Sequence, residues 1–365
     1  MNCIPGQSQT WLLKAAINTN LAAGIQDLKK WQNATDFEAH IPRSEVLLIP
    51  MIWQKYKVHL AENSWNDRFG GLFKKCFYNN SRHFHHLGQI LQVLNKGKYR
   101  YAIVNSIALN YYLYSDNGTR SLDQIDILID PNNLISIIGE LEQLDYRSRY
   151  EKMTPEMCLS GQHSAFILSH STLKSISLHC FPAPFHNQKI ANLDFLRDTK
   201  TVEFKGLAMN LLQPEKLFIL ILLNAPLSAD WYWMADAVLL YRKYDLAIKS
   251  IRPFVSETHL FHTTSGILEF LWNEFQVGSS VELEFYQSQP LSLTDRYLIK
   301  SKSPTGLKFR IACIANFNGL NGNQNLGLRT FRKILIWYYM AFKRTKKNEI
   351  PAKTLHFLRD LLQLN

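Results

Sequence analysis

The sequence predicts an α+β fold, a helix-rich chain carrying one compact α/β island at residues 100–205. Three observations support this. Apolar residues recur at helical spacing on both sides of the island, most plainly at Leu87, Ile90, Leu91 and Leu94, which stand at i, i+3, i+4 and i+7. Within the island the apolar runs shorten to Tyr101–Val104, Ile125–Ile129, Ala165–Leu168 and Ser175–His179, set apart by turn residues. The chain's 365 residues give room for a large core.

The elements follow in order. Trp11–Trp31 carries Leu12, Ala15, Ala16, Leu21, Ile25 and Leu28 in an approximate helical rhythm, and a second helical stretch, Ser44–Leu60, follows Pro42. The helix containing Leu87–Leu94 ends at Lys96-Gly97-Lys98, with glycine near the C-terminal cap. Tyr101–Val104 then runs into Asn105-Ser106, and helical spacing resumes at Ile107, Ala108, Tyr111 and Tyr112: strand, polar turn, helix. Asp116-Asn117-Gly118 marks a turn. The strand Ile125–Ile129 ends at Asp130-Pro131, an N-cap followed by proline at the first helical position, and Leu134, Ile137, Ile138, Leu141 and Leu144 form the next apolar stripe.

Ala165–Leu168 and Ser175–His179, joined by the polar segment Ser169–Lys174, read as a hairpin, and Thr201–Phe204 before Gly206 as another short strand. From Pro214 the chain is helical again, with Leu217, Leu220, Ile221 and Asn224 on one face and Pro226 as the stop; Trp233–Lys243 is a further helix. An Asn/Gly-rich loop, Asn316–Gly327, precedes a basic aromatic helix, Thr330–Lys347. The expected division is a helical region over 1–99, the α/β core over 100–210 and a second helical region over 211–365.

Composition excludes several classes. At 46% hydrophobic and 19% charged residues, with a mean hydropathy of -0.16, the chain is neither disordered nor collagen-like. Its longest apolar runs, Leu217–Leu223 and Ile334–Phe342, are shorter than the roughly 20 residues of a membrane span. No secretory signal is visible, and the five scattered cysteines read as reduced thiols, so the expected location is the cytoplasm. Lys and Arg number 41 against 30 Asp and Glu, a net charge of +11 that favours anionic partners.

The most specific signal lies in the island. Strand alternation puts Gln124 and Asp126 on one face and Ile125 and Ile127 on the other, and likewise Ser177 and His179 opposite Ile176 and Leu178. The segments Ile103-Val104-Asn105-Ser106-Ile107-Ala108-Leu109, Tyr114, Arg120, Gln124-Ile125-Asp126-Ile127-Leu128-Ile129, Ser177-Leu178-His179-Cys180 and Trp233-Met234-Ala235-Asp236 stand in this order. Over about residues 10–245 this layout resembles the bacterial nucleotidyltransferase family that reads L-K-G-x-A-L…Y…R…D-I-D-L-L-V…[DE]-L-H-W, within the DNA polymerase β-like superfamily.

The resemblance implies a small mixed sheet flanked by helical regions, and transfer of a nucleoside monophosphate from an NTP to a small-molecule, sugar or peptide acceptor. It further implies Mg²⁺ held by two aspartates at i and i+2 and a third acid on a neighbouring strand, with phosphate contacts from the turn before the first island helix and from Arg120. The departures fall on the reactive positions. Lys-Gly becomes Asn105-Ser106, the first aspartate Gln124 and the third acid Ser177, so that Asp126 is left as a weak metal ligand. Asp123 faces the other side of the strand unless a bulge turns it.

Plainer roles stay open beside these. Asp126 can be a strand-end residue capped by Arg120, Asn105-Ser106 an ordinary turn, Arg120 a salt-bridge partner, and Asp236 a residue favoured by its helix N-terminus. His83, His85 and His86 fit a solvated helix start better than a metal cluster. Arg329, Arg332, Lys333, Lys343, Arg344, Lys346 and Lys347, interleaved with aromatics, fit a docked helix or an anionic partner surface. Three functions compete: a divergent nucleotidyltransferase, a pseudoenzyme of the same fold acting as a binding or scaffolding partner, and a basic anion- or nucleic-acid-binding protein.

Overall fold

A computed structural model describes residues 4–290 other than 37, 39, 62–63, 152, 160–162, 183–194, 198, 226–229 and 259–260. The Asn316–Gly327 loop, the Thr330–Lys347 helix and the basic run within it lie outside the described residues. The fold is α+β, as expected.

Four helices come first: α1 (Gln7–Ile17), α2 (Leu21–Ala34), α3 (Arg43–Tyr56) and α4 (Trp65–Lys96). The helical rhythm over Trp11–Trp31 belongs to two helices. The break falls at Asn18–Asn20, because the Asn20 side chain accepts a hydrogen bond from the Ala23 amide at 3.1 Å and caps α2. At 32 residues α4 is long, and it buries Leu87, Ile90, Leu91 and Leu94 completely. Gly97 caps α4 with φ −74°, while Lys98 takes the left-handed turn at φ 50°. Glycine is needed there for clearance: a Cβ on Gly97 would lie 2.2 Å from the Tyr99 ring.

A seven-stranded mixed sheet follows. Its strands are β1 (Tyr101–Val104), β2 (Ile125–Ile129), β3 (Arg147–Ser148), β4 (Ala165–His170), β5 (Leu173–His179), β6 (Thr199–Phe204) and β7 (Leu207–Leu212), in the order β3-β4-β5-β2-β1-β7-β6. β1 runs antiparallel to β2 and parallel to β7, and β2 runs parallel to β5. β4 and β5 form the expected hairpin. β7 is an addition to the sequence reading: Lys205 and Gly206 both have positive φ, make a tight two-residue turn and send the chain back along β6.

The island helix α5 (Asn105–Leu113) packs on β1 and β2. After β2, Asp130 accepts from the Asn132 amide at 3.0 Å and starts a 3-10 turn, Pro131–Asn133, that continues into α6 (Leu134–Glu142). Leu134, Ile137, Ile138 and Leu141 are buried, but α6 ends at Glu142, so Leu144 falls beyond it and is exposed. A short α7 (Pro155–Leu159) precedes β4. Beyond the sheet stand α8 (Pro214–Asn224), α9 (Trp233–Tyr244), α10 (Arg252–Thr258), α11 (Phe261–Phe275) and α12 (Ser280–Gln287). Leu217–Leu223 is buried on every side, as an all-apolar helix requires. Among the described residues no helix is long and apolar enough to cross a membrane. Cys76, Cys158 and Cys180 are buried free thiols, and burial pushes Cys76 up to about 11.

Candidate functional site

Asp126 sits at the centre of the sheet. Its register partners are Val104 on β1 and Ser177 on β5, so the three residues share one sheet face. One step along, Leu128 pairs with His179. The carboxylate of Asp126 is only 3% exposed, and its Oδ1 accepts two hydrogen bonds, from Gln124 Nε2 at 2.6 Å and from His179 Nε2 at 2.8 Å. Ser175 Oγ donates to Gln124 Oε1 at 3.3 Å. The bond to Asp126 fixes the amide's orientation, since the flipped form would set its oxygen against the carboxylate, while the Ser175 hydroxyl accepts either orientation.

β1 runs directly into α5 at Asn105, which adopts φ 51°. Asparagine tolerates this left-handed conformation better than most residues, so the chain turns sharply without glycine. Because Val104 pairs with Asp126, the Asn105-Ser106 bend stands beside the Asp126 cluster. Gln124, Asp126, Ser177, Asn105 and Ser106 are therefore gathered at the junction of β1, β2, β5 and α5.

Arg120 belongs to a different arrangement. It is buried, and its Nε and Nη2 grip Asp236 of α9 at 2.7–3.0 Å while Nη1 donates to the Ser121 carbonyl. Tyr114 Oη donates to Asp236 Oδ1 at 2.8 Å. Burial opposes the charge of Arg120, yet the Asp236 carboxylate holds its pKa above the ordinary value; burial likewise raises that of Tyr114. Tyr114, Arg120 and Asp236, the last residue of Trp233-Met234-Ala235-Asp236, thus meet in one cluster. Of the two roles open to Arg120, the structure shows the salt bridge.

The profile of a family described as uncharacterised nucleotidyltransferase matches residues 48–271. The chain belongs to this nucleotidyltransferase family. No curated protein matches it. The match spans α4, the whole sheet, α8 and α9, and so includes both the Asp126 cluster and the Arg120–Asp236 pair.

This nucleotidyltransferase fold does not offer Mg²⁺ the donors such an ion prefers. Among the described residues the cluster holds one carboxylate, one amide, the hydroxyls of Ser175 and Ser177 and one imidazole, and the two N–H groups already point at Asp126 Oδ1. Hard divalent cations favour several anionic oxygens. Asp123 does not supply a second: its carboxylate accepts from Arg43 Nη2 and from Tyr232 Oη, both at 3.1 Å.

Two features escaped the sequence reading. Asn80 of α4 is fully buried; its Oδ1 accepts from the Leu122 amide at 2.9 Å, and its Nδ2 donates to the carbonyls of Asn117 and Arg120. It fastens the loop leading from α5 into β2. His83, His85 and His86 lie inside α4, far from its start, so the solvated helix start is corrected. His86 is buried between Tyr146 Oη at 2.6 Å and Thr172 Oγ1 at 2.8 Å. Burial, together with neighbouring His170, lowers its pKa to about 4. Among the described residues no group of three His, Cys, Asp or Glu side chains is placed to hold a metal. Neither network had a local sequence signal, because both are made by residues at least 37 positions apart.

Proposed function

We propose that this chain is a divergent nucleotidyltransferase-fold protein that binds a nucleoside triphosphate at the Asn105-Ser106 bend and has lost most of its capacity to transfer the nucleoside monophosphate. One observation carries the proposal. Where the reaction calls for converging carboxylates, Asp126 is the only one in the cluster among the described residues, and it is already hydrogen-bonded by Gln124 and His179. Metal-assisted transfer needs charge to polarise the phosphate and to stabilise the departing pyrophosphate. Binding needs less, and it is favoured by family membership and the chain's excess of 41 basic over 30 acidic residues.

The test is calorimetric titration with ATP, GTP, CTP and UTP, with pyrophosphate release followed in parallel. At least one triphosphate binds, Asn105→Gly lowers its affinity while keeping the left-handed backbone, and pyrophosphate release stays at background. No binding by any triphosphate, or brisk pyrophosphate release, contradicts the reading.

A further inference from the structure

We infer that two N–H donors, Gln124 and His179, take the place of the divalent cation at Asp126, so that nucleotide binding at this site is independent of metal. The inference rests on the reading above, that the site receives a nucleotide, and adds how its central carboxylate is satisfied.

Asp126 is 3% exposed, and a carboxylate so placed needs partners wherever it is charged. In a metal site a cation would meet that need. Here Oδ1 receives N–H groups at 2.6 and 2.8 Å, one from each flank. For the Gln124 amide to turn its oxygen toward Asp126 it must give up its bond to Oδ1, and the two oxygens then need a cation between them. His179 stands on β5 opposite Leu128, and its Nε2 reaches Asp126 diagonally across the β2–β5 ladder. Directly across from Asp126 is Ser177, a neutral hydroxyl. A Mg²⁺ ion, which sits about 2.0–2.1 Å from its oxygens in a near-octahedral shell, would meet Oδ1 already bonded to both N–H donors and would have only Oδ2 of Asp126 left to bind. It would then find one anionic ligand.

Gln124 and Ser177 are both uncharged, so among the described residues no second carboxylate stands beside Asp126, and its Oδ1 is met by protein donors.

The experiment has two arms on the full-length protein. In the first, Mn²⁺ is titrated and the free ion followed by electron paramagnetic resonance, with Zn²⁺ checked by calorimetry. Wild-type protein takes up neither ion at this site at sub-millimolar concentration, and the Gln124→Asp/Ser177→Asp double variant gains Mn²⁺ affinity of about tenfold or more. Should the double variant fail to fold, Gln124→Glu serves in its place, with the same gain in direction. In the second arm ATP is titrated in EDTA and in Mg²⁺, and the two dissociation constants agree within about threefold.

Wild-type Mn²⁺ or Zn²⁺ binding that disappears in Asp126→Asn overturns the inference. So does Mg²⁺-dependent tightening of ATP binding, or a folded carboxylate variant that gains no Mn²⁺. Absence of ATP binding under both conditions overturns the nucleotide reading instead, and the Mn²⁺ arm still decides how Asp126 is satisfied.

Discussion

Arg120 and Asp236 stand 116 residues apart in the chain and close a buried ion pair, Nη2 to Oδ2 at 2.7 Å. Tyr114 donates to the same carboxylate, and the Tyr232 ring lies 5.8 Å from the guanidinium carbon. The pair joins the loop before β2 to α9, on the far side of the sheet in sequence. It explains why an arginine ahead of the island's second strand and a W-x-x-D segment over a hundred residues later occur in one chain.

Removing one partner of such a pair leaves the other charged and buried. Asp236→Ala is expected to cost about 3–5 kcal/mol, and Arg120→Met a similar amount. The double variant Arg120→Met/Asp236→Leu loses less than the sum, since apolar replacement of both charges removes the uncompensated one. Urea unfolding of the three variants checks this.

Asn80 holds the same loop from the side of α4. Asn80→Ala removes its hydrogen bonds to Asn117, Arg120 and Leu122. A loss of about 2–4 kcal/mol follows, from unpaired backbone groups and a small cavity. Asn80→Asp keeps the acceptor for the Leu122 amide but turns a carboxylate toward two carbonyl oxygens, so it is at least as damaging. Thermal unfolding of the two variants side by side distinguishes a lost volume from a lost donor.

Within the Asp126 cluster, Gln124→Ala and His179→Ala each leave Oδ1 with one donor. Each is expected to lower stability by about 1.5–3 kcal/mol, the range for a hydrogen bond to a charged group. The two effects are coupled through one oxygen, so the double variant departs from additivity. A double-mutant cycle in urea measures that coupling.

His86 makes stability depend on pH. Its pKa in the fold is about 4, against 6.5 for the free side chain. Between these values the unfolded chain binds the extra proton, so stability rises with pH there and is lost as pH falls from about 6.5 toward 4. The urea midpoint at pH 5 should sit below that at pH 7, and His86→Gln should flatten the difference.

Local patterning disclosed much of this fold. The Asp130-Pro131 cap, the Leu87–Leu94 stripe and the β4–β5 hairpin each follow from a few adjacent residues whose conformational preferences agree. β7 was hidden because Leu207–Leu212 follows a glycine that reads as a strand end, whereas Lys205-Gly206 is a two-residue reversal. The α1–α2 break depended on one capping asparagine inside a continuous apolar rhythm. The gathering of Gln124, Asp126 and Ser177 was legible from strand alternation and family resemblance together. What His179 does to Asp126 was not, because hydrogen bonding across a parallel strand pair depends on register, which spacing along one strand does not fix.

Hydrogen–deuterium exchange with and without a saturating nucleoside triphosphate locates the nucleotide. Binding at the Asp126 cluster beside the Asn105-Ser106 bend slows exchange over residues 104–108 and 122–128, and Asn105→Gly reduces the effect. Protection confined to another surface, such as the cleft lined by His40, Ile41, Arg68, Leu72 and Lys75, places the nucleotide elsewhere and overturns the proposal.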